Sequence, residues 1–84
     1  MRVFRVEQDG CVHHWCIAQD SPGAIALVKE HSPDHEPDAV WEAWELPMDV
    51  SLSITLGTLK ITHTAAEWLE IYDYGLRYLA CSEF

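Results

Sequence analysis

Residues 11–16 read CVHHWC: two cysteines flank two histidines and a tryptophan. Thiolate and imidazole are the common ligands of zinc, and a cysteine beside a histidine is also the pairing of a thiol nucleophile with its base. Spacing decides how much of that chemistry is within reach. On a β-strand successive side chains point to opposite faces, which puts Cys11, His13, Trp15 and Ile17 on one face and Val12, His14, Cys16 and Ala18 on the other. No more than two ligand-type residues share a face, whereas a structural zinc site takes four, commonly in C-x2–4-C or H-x3–5-H sets. The missing ligands would have to come from elsewhere, such as Cys81 or His63. Cys, His and Asp are all present for nucleophilic catalysis, but nothing local fixes a base within hydrogen-bond reach of a thiol. The sequence has no Gly-rich phosphate loop, no G-x-S-x-G elbow and no H-E-x-x-H motif, and its acids are scattered with no pair marked for acid–base work. The stretch therefore reads as one strand of a small core. No catalytic, cofactor-binding or metal residue is assigned, and no enzymatic activity is expected. The alternative is a small metal-binding or structural module using Cys11, His13, His14, Cys16 or Cys81.

The surrounding elements support the strand reading. RVFRVE (2–7) is rich in Val and Phe, as strands are, and the Asp9-Gly10 turn signal leads into CVHHWCIA (11–18), completing a hairpin. Residues 19–33 predict a helix. Asp20 or Ser21 caps it, Pro22 suits its first turn, Ala24, Ile25 and Val28 share a face, and Pro33 ends it. SPDHEPD (32–38) is a polar, proline-bounded loop carrying Asp34, Glu36 and Asp38.

AVWEAWEL (39–46) suits two conformations. As a strand it places Val40, Trp44 and Leu46 on one face with Glu42 as the exception; as a helix it gathers Val40, Trp41 and Trp44. Strand is preferred, because Pro37 and Pro47 bound a segment of strand length. In SLSITLGTLKITH (51–63) Leu and Ile alternate with Ser, Thr and Lys around Gly57-Thr58. A two-residue type II′ turn there pairs Leu56 with Leu59, Ile54 with Ile61 and Leu52 with His63. Residues 62–75 predict a second helix, with Thr64 and Glu67 as an S/T-x-x-E capping box. Its buried stripe is Ala65, Trp68, Leu69 and Tyr72, and Gly75 stands as its C-terminal stop. LRYLACSEF (76–84) reads as a closing strand. The expectation is one α+β domain over residues 1–84, a small mostly antiparallel sheet in the order ββα-β-ββ-αβ with both helices packed on one face.

Composition narrows the function. The 84 residues carry fourteen Asp and Glu against five Lys and Arg, a formal charge of −9 with neutral histidines. Such a surface repels phosphate and anionic lipid and attracts basic protein surfaces. No apolar run approaches the roughly 18 residues of a membrane span, and MRVFRVEQDG has no signal-peptide core, so a cytoplasmic protein is expected. The odd count of three cysteines argues against a disulfide framework. The expected partner is a protein with a basic surface, with no direct nucleic acid, membrane or cofactor, and the chain itself a monomer or weak homodimer. The candidate contacts are the loop acids Asp34, Glu36 and Asp38, the helix acids Glu67, Glu70 and Asp73, and whichever of Trp41 and Trp44 is left exposed beside Glu42 and Glu45.

The MRVFRVEQDG opening, the AAEWLEIYDYG helix and the terminal YLACSEF, with this size and charge, resemble the small acidic accessory proteins of phages and mobile elements, anti-CRISPR proteins among them. That class shares no motif, so no site residue carries over. The resemblance implies a non-enzymatic inhibitor, active in the host cytoplasm, whose acids compete with phosphate for a CRISPR effector complex. A generic phage or bacterial protein–protein adaptor is the further alternative.

Overall fold

Both faces of the first hairpin are apolar, and the whole architecture follows from this. Val3 and Phe4 are consecutive and fully or nearly buried, as are Cys16, Ile17 and Ala18. A strand with apolar residues at successive positions needs cover on both sides. In the computed structural model, which describes residues 1–10, 12–31 and 38–81, that cover comes from two separate layers.

The elements run β1 (Arg2–Gln8), β2 (Val12–Ala18), α1 (Ser21–His31), β3 (Trp41–Glu45), β4 (Ser51–Leu56), β5 (Leu59–Thr64), α2 (Ala65–Ile71) and β6 (Arg77–Cys81). The α+β class and the element order are as the sequence predicts. Four strands form an antiparallel sheet in the order β3-β1-β2-β6, and β4-β5 form a separate two-stranded hairpin. The helices do not share a face. α1 lays Ala24 and Val28 on Phe4, Val6, Cys16 and Ala18. α2 and the β4-β5 hairpin cover the opposite face, where Ala65, Trp68, Leu69, Leu52 and Ile54 pack on Val3 and Ile17.

The hairpin has the register its alternation dictates, with Leu56 opposite Leu59, Ile54 opposite Ile61 and Leu52 opposite His63. Gly57 turns at φ 66, while Thr58 is not among the positive-φ residues, as a type II′ turn requires. At the first hairpin Asp9 and Gly10 both take positive φ, 54 and 72. α2 opens with the full capping box: the Thr64 hydroxyl accepts from the Glu67 N–H at 3.2 Å, and Glu67 Oε1 accepts from the Thr64 N–H at 2.7 Å. α1 is capped by Asp20, whose carboxylate accepts from the Gly23 N–H at 2.8 Å.

The end of α2 differs from expectation. Gly75 does not carry the left-handed turn. Asp73 and Tyr74 do, at φ 54 and 55. Their N–H groups donate to the carbonyls of Glu70 and Leu69 at 3.1 and 2.8 Å, the bonding pattern of a Schellman cap. Gly75 instead relieves a close approach, since a Cβ there would lie 3.3 Å from the Tyr72 carbonyl oxygen, a tight contact.

Candidate functional site

Strand alternation divides the CVHHWC motif as expected. Cys11 lies outside the described residues. His14 and Cys16 face α1, and His13 and Trp15 face the other way. His14 is 2% exposed, with Nδ1 2.9 Å from the Tyr78 hydroxyl of β6. Tyr78 in turn stacks on His31 at 3.7 Å between ring centroids. The His31–Tyr78 stack ties the end of α1 to β6, and the two rings line one side of a cleft of about 460 Å³ between β6 and β4, together with Cys81, Ser53 and Thr55. Cys16 is fully buried, and desolvation pushes its thiol up to about 12, so it is held as the neutral thiol. Among the described residues no three His, Cys, Asp or Glu side chains converge as a metal site.

The opposite face of the sheet is different toward the β3 edge. Register aligns Glu42 of β3 with Glu7 of β1 and then His13 of β2. The next row is Trp44, Arg5 and Trp15. Glu7 Oε1 is 3.1 Å from His13 Nε2 and 3.6 Å from Arg5 Nη2, and the Arg5 guanidinium lies 5.0 Å from the centre of the Trp44 ring. Glu42 therefore faces a like charge, Glu7, whose carboxylate is already engaged by Arg5 and His13. Like charges directly opposite on neighbouring strands are destabilising. Trp44 is 40% exposed. Of the two candidate tryptophans it is the surface one. Trp41 is half-buried on the α1 side, with the Lys29 ammonium 5.6 Å from its ring centre.

The remaining predicted contact residues are dispersed. Asp34 and Glu36 fall outside the described residues. Asp38, Glu70 and Asp73 are exposed, and Glu67 is exposed but engaged as the cap of α2. Its carboxyl is held below the usual carboxylate range, first by the backbone N–H and then the side chain of Thr64, and last by nearby His63. Among the described residues no ion pair joins these helix acids to the Glu42–Trp44 row. That row, with Glu7, Arg5 and His13, is what sequence reasoning missed. Only the pairing of β1 with β3, about 35 residues apart in sequence, assembles it, and no local pattern signals such a pairing.

The basic side chains share one feature. Arg2 is 3.8 Å from Glu45, Arg5 lies against Glu7 and Trp44, Lys29 over Trp41, and Arg77 over Tyr72 at 4.2 Å. Among the described residues Glu30, Asp38, Glu42, Asp49, Glu70 and Asp73 form no ion pair. No family model, curated protein or solved structure matches this chain. No helix among the described residues is long and apolar enough to cross a membrane.

Proposed function

We propose that this protein is a non-enzymatic inhibitor that presents acids to a basic protein surface, and that the partner is a CRISPR effector complex whose target-DNA site it blocks. One observation supports this reading: the uneven use of charge. Four of the five basic side chains lie against the protein's own acids or rings, while six exposed carboxylates form no ion pair among the described residues. With fourteen Asp and Glu against five Lys and Arg, the net field is negative, and such a field steers a basic partner and repels nucleic acid. Trp44, exposed beside Glu42, adds a rigid aromatic contact of the kind that anchors interfaces. Within CVHHWC, Cys16 is buried as a thiol and His14 is bonded to Tyr78, which favours a binding role over thiol chemistry at these two residues.

The test is target-DNA binding by guide-loaded CRISPR effector complexes, measured by mobility shift with rising amounts of this protein. The reading predicts loss of DNA binding at about one protein per effector, with no shift of the DNA by the protein alone. Undiminished DNA binding across the effectors tested would reject inhibition.

A further inference from the structure

The open edge of β3 has a register that fits one occupant, a second copy of this chain. β3 is the edge strand of its sheet, paired only with β1 among the described strands. The Leu46 N–H donates to Val3 and the Asp9 N–H to the Val40 carbonyl, both at 2.8 Å. Antiparallel hydrogen bonding alternates along a strand, so Val40, Glu42, Trp44 and Leu46 turn their backbone groups toward β1. Ala43 and Glu45 turn theirs outward, to the open edge. Ala43 is also the centre of the strand Trp41–Glu45.

We propose that two copies join β3 to β3 in antiparallel fashion about a two-fold axis at Ala43, making one continuous sheet. Centring there is the arrangement in which all five residues of each strand overlap. It also settles the charges. Opposite residues sum to 86 in this register, so Glu42 of one copy faces Trp44 of the other, and Glu45 faces Trp41. Neither acid meets an acid. Trp44 already holds the Arg5 guanidinium at 5.0 Å, and Trp41 the Lys29 ammonium at 5.6 Å. Each acid is therefore placed at a tryptophan that carries a cation of the second copy. Glu42, which the register sets opposite Glu7 within its own chain, finds its opposite charge across the axis. A two-fold axis at Glu42 would instead set that acid against itself. Charged side chains normally protect an edge from pairing; here they select the register.

A contact through one five-residue strand is smaller than a standard interface of about 1,600 Å², so the dissociation constant is expected to lie between about 1 and 100 µM. The proposal does not rest on the partner reading, although it uses Glu42 and Trp44 for self-pairing, and its test concerns the chain alone. Sedimentation equilibrium of the purified full chain up to about 1 mM, well above that constant, is expected to show a monomer–dimer equilibrium. Ala43→Pro removes a donor that the fold does not use and blocks the axis, so dimerisation should weaken at least tenfold with the monomer fold retained by circular dichroism. Glu42→Lys should also weaken the dimer while raising the thermal stability of the monomer, which separates pairing from folding. Residues at the axis are hydrogen-bonded partners about 5.5 Å apart at Cα, within disulfide range. Oxidised Ala43→Cys should accordingly cross-link between copies faster than Ala26→Cys, placed on the exposed side of α1. A monomer at every concentration would overturn the proposal. So would a dimer unaffected by Ala43→Pro and Glu42→Lys, which would have to use another surface.

Discussion

Replacing Trp68 with Phe tests how the β4-β5 hairpin and α2 are held to the central sheet. Trp68 is 2% exposed and its indole N–H donates to the Leu52 carbonyl at 2.9 Å. Its ring meets His63 edge-on at 4.9 Å and stacks with Tyr72 at 6.1 Å. Phe keeps an aromatic ring there but loses the donor, which costs about 1 kcal/mol for a buried bond of this type. It is also smaller by about 40 Å³, and at roughly 24 cal/mol per Å³ an unfilled void of that size costs about another 1 kcal/mol. The sum, about 2 kcal/mol, is a large share of the roughly 4–13 kcal/mol expected for a chain of this length. It corresponds to a fall in Tm of roughly 8–16 °C. Thermal unfolding followed by circular dichroism measures this directly, with Trp44→Phe as the comparison. Trp44 is 40% exposed, and its replacement should change stability by no more than about 0.5 kcal/mol. If both variants lowered Tm equally, Trp68 would not be the keystone that its burial and hydrogen bond indicate.

Asp73→Gly should raise stability by about 0.5 kcal/mol, because Asp73 sits at φ 54 where only Gly is unstrained; a lowered Tm would contradict the cap geometry. Native-state alkylation near pH 8 should modify Cys81, which is half-buried, before Cys16, and equal rates read by mass spectrometry would contradict the burial that pushes the Cys16 thiol to about 12. The same shift favours the fold while both states keep the thiol protonated, below the ordinary value of 9.0, and that contribution fades as pH rises from there toward 12. Glu67 acts in the opposite sense: its depressed value stabilises the fold above the usual 4.5, and the contribution is lost as pH falls through the folded value. Glu67→Gln keeps a capping acceptor without the charge, so its stability should vary less with pH below 4.5 than that of the parent, and parallel acid-denaturation curves would contradict the assignment.

Local patterns in the sequence carried much of this fold. The alternation about Gly57-Thr58 specifies the hairpin register, and the Thr64–Glu67 box with the Ala65, Trp68, Leu69 stripe specifies α2, because each is set by residues a few positions apart. The helices lie on opposite faces of the sheet rather than on one, and the sequence carries the reason. Consecutive apolar residues at Val3-Phe4 and Cys16-Ile17-Ala18 mark β1 and β2 as covered on both faces, and a single layer of helices cannot supply that. The candidate site was the least legible part. Glu67 caps α2 as its spacing from Thr64 dictates, but the Glu42–Glu7 pairing depends on a strand neighbour that no short-range rule names. The ambiguity of residues 39–46 has the same origin. Trp41 and Trp44 are apolar on both faces of a strand because α1 takes one and Arg5 the other.

The central claim is that exposed acids carry partner binding. Its most direct test is the affinity of a variant with Asp34, Glu36, Asp38 and Asp73 as the Asn or Gln isosteres, and Glu67 and Glu70 as Gln, for a CRISPR effector complex that the parent inhibits. Affinity is measured by biolayer interferometry at low and physiological salt. Exposed charge pairs are screened beyond about 8–10 Å at physiological ionic strength, so the parent should bind more weakly, and associate more slowly, as salt rises. The folded variant should bind at least tenfold more weakly, a loss of about 1.4 kcal/mol, and with a shallower salt dependence. A folded variant with parental affinity and parental salt dependence would contradict the claim.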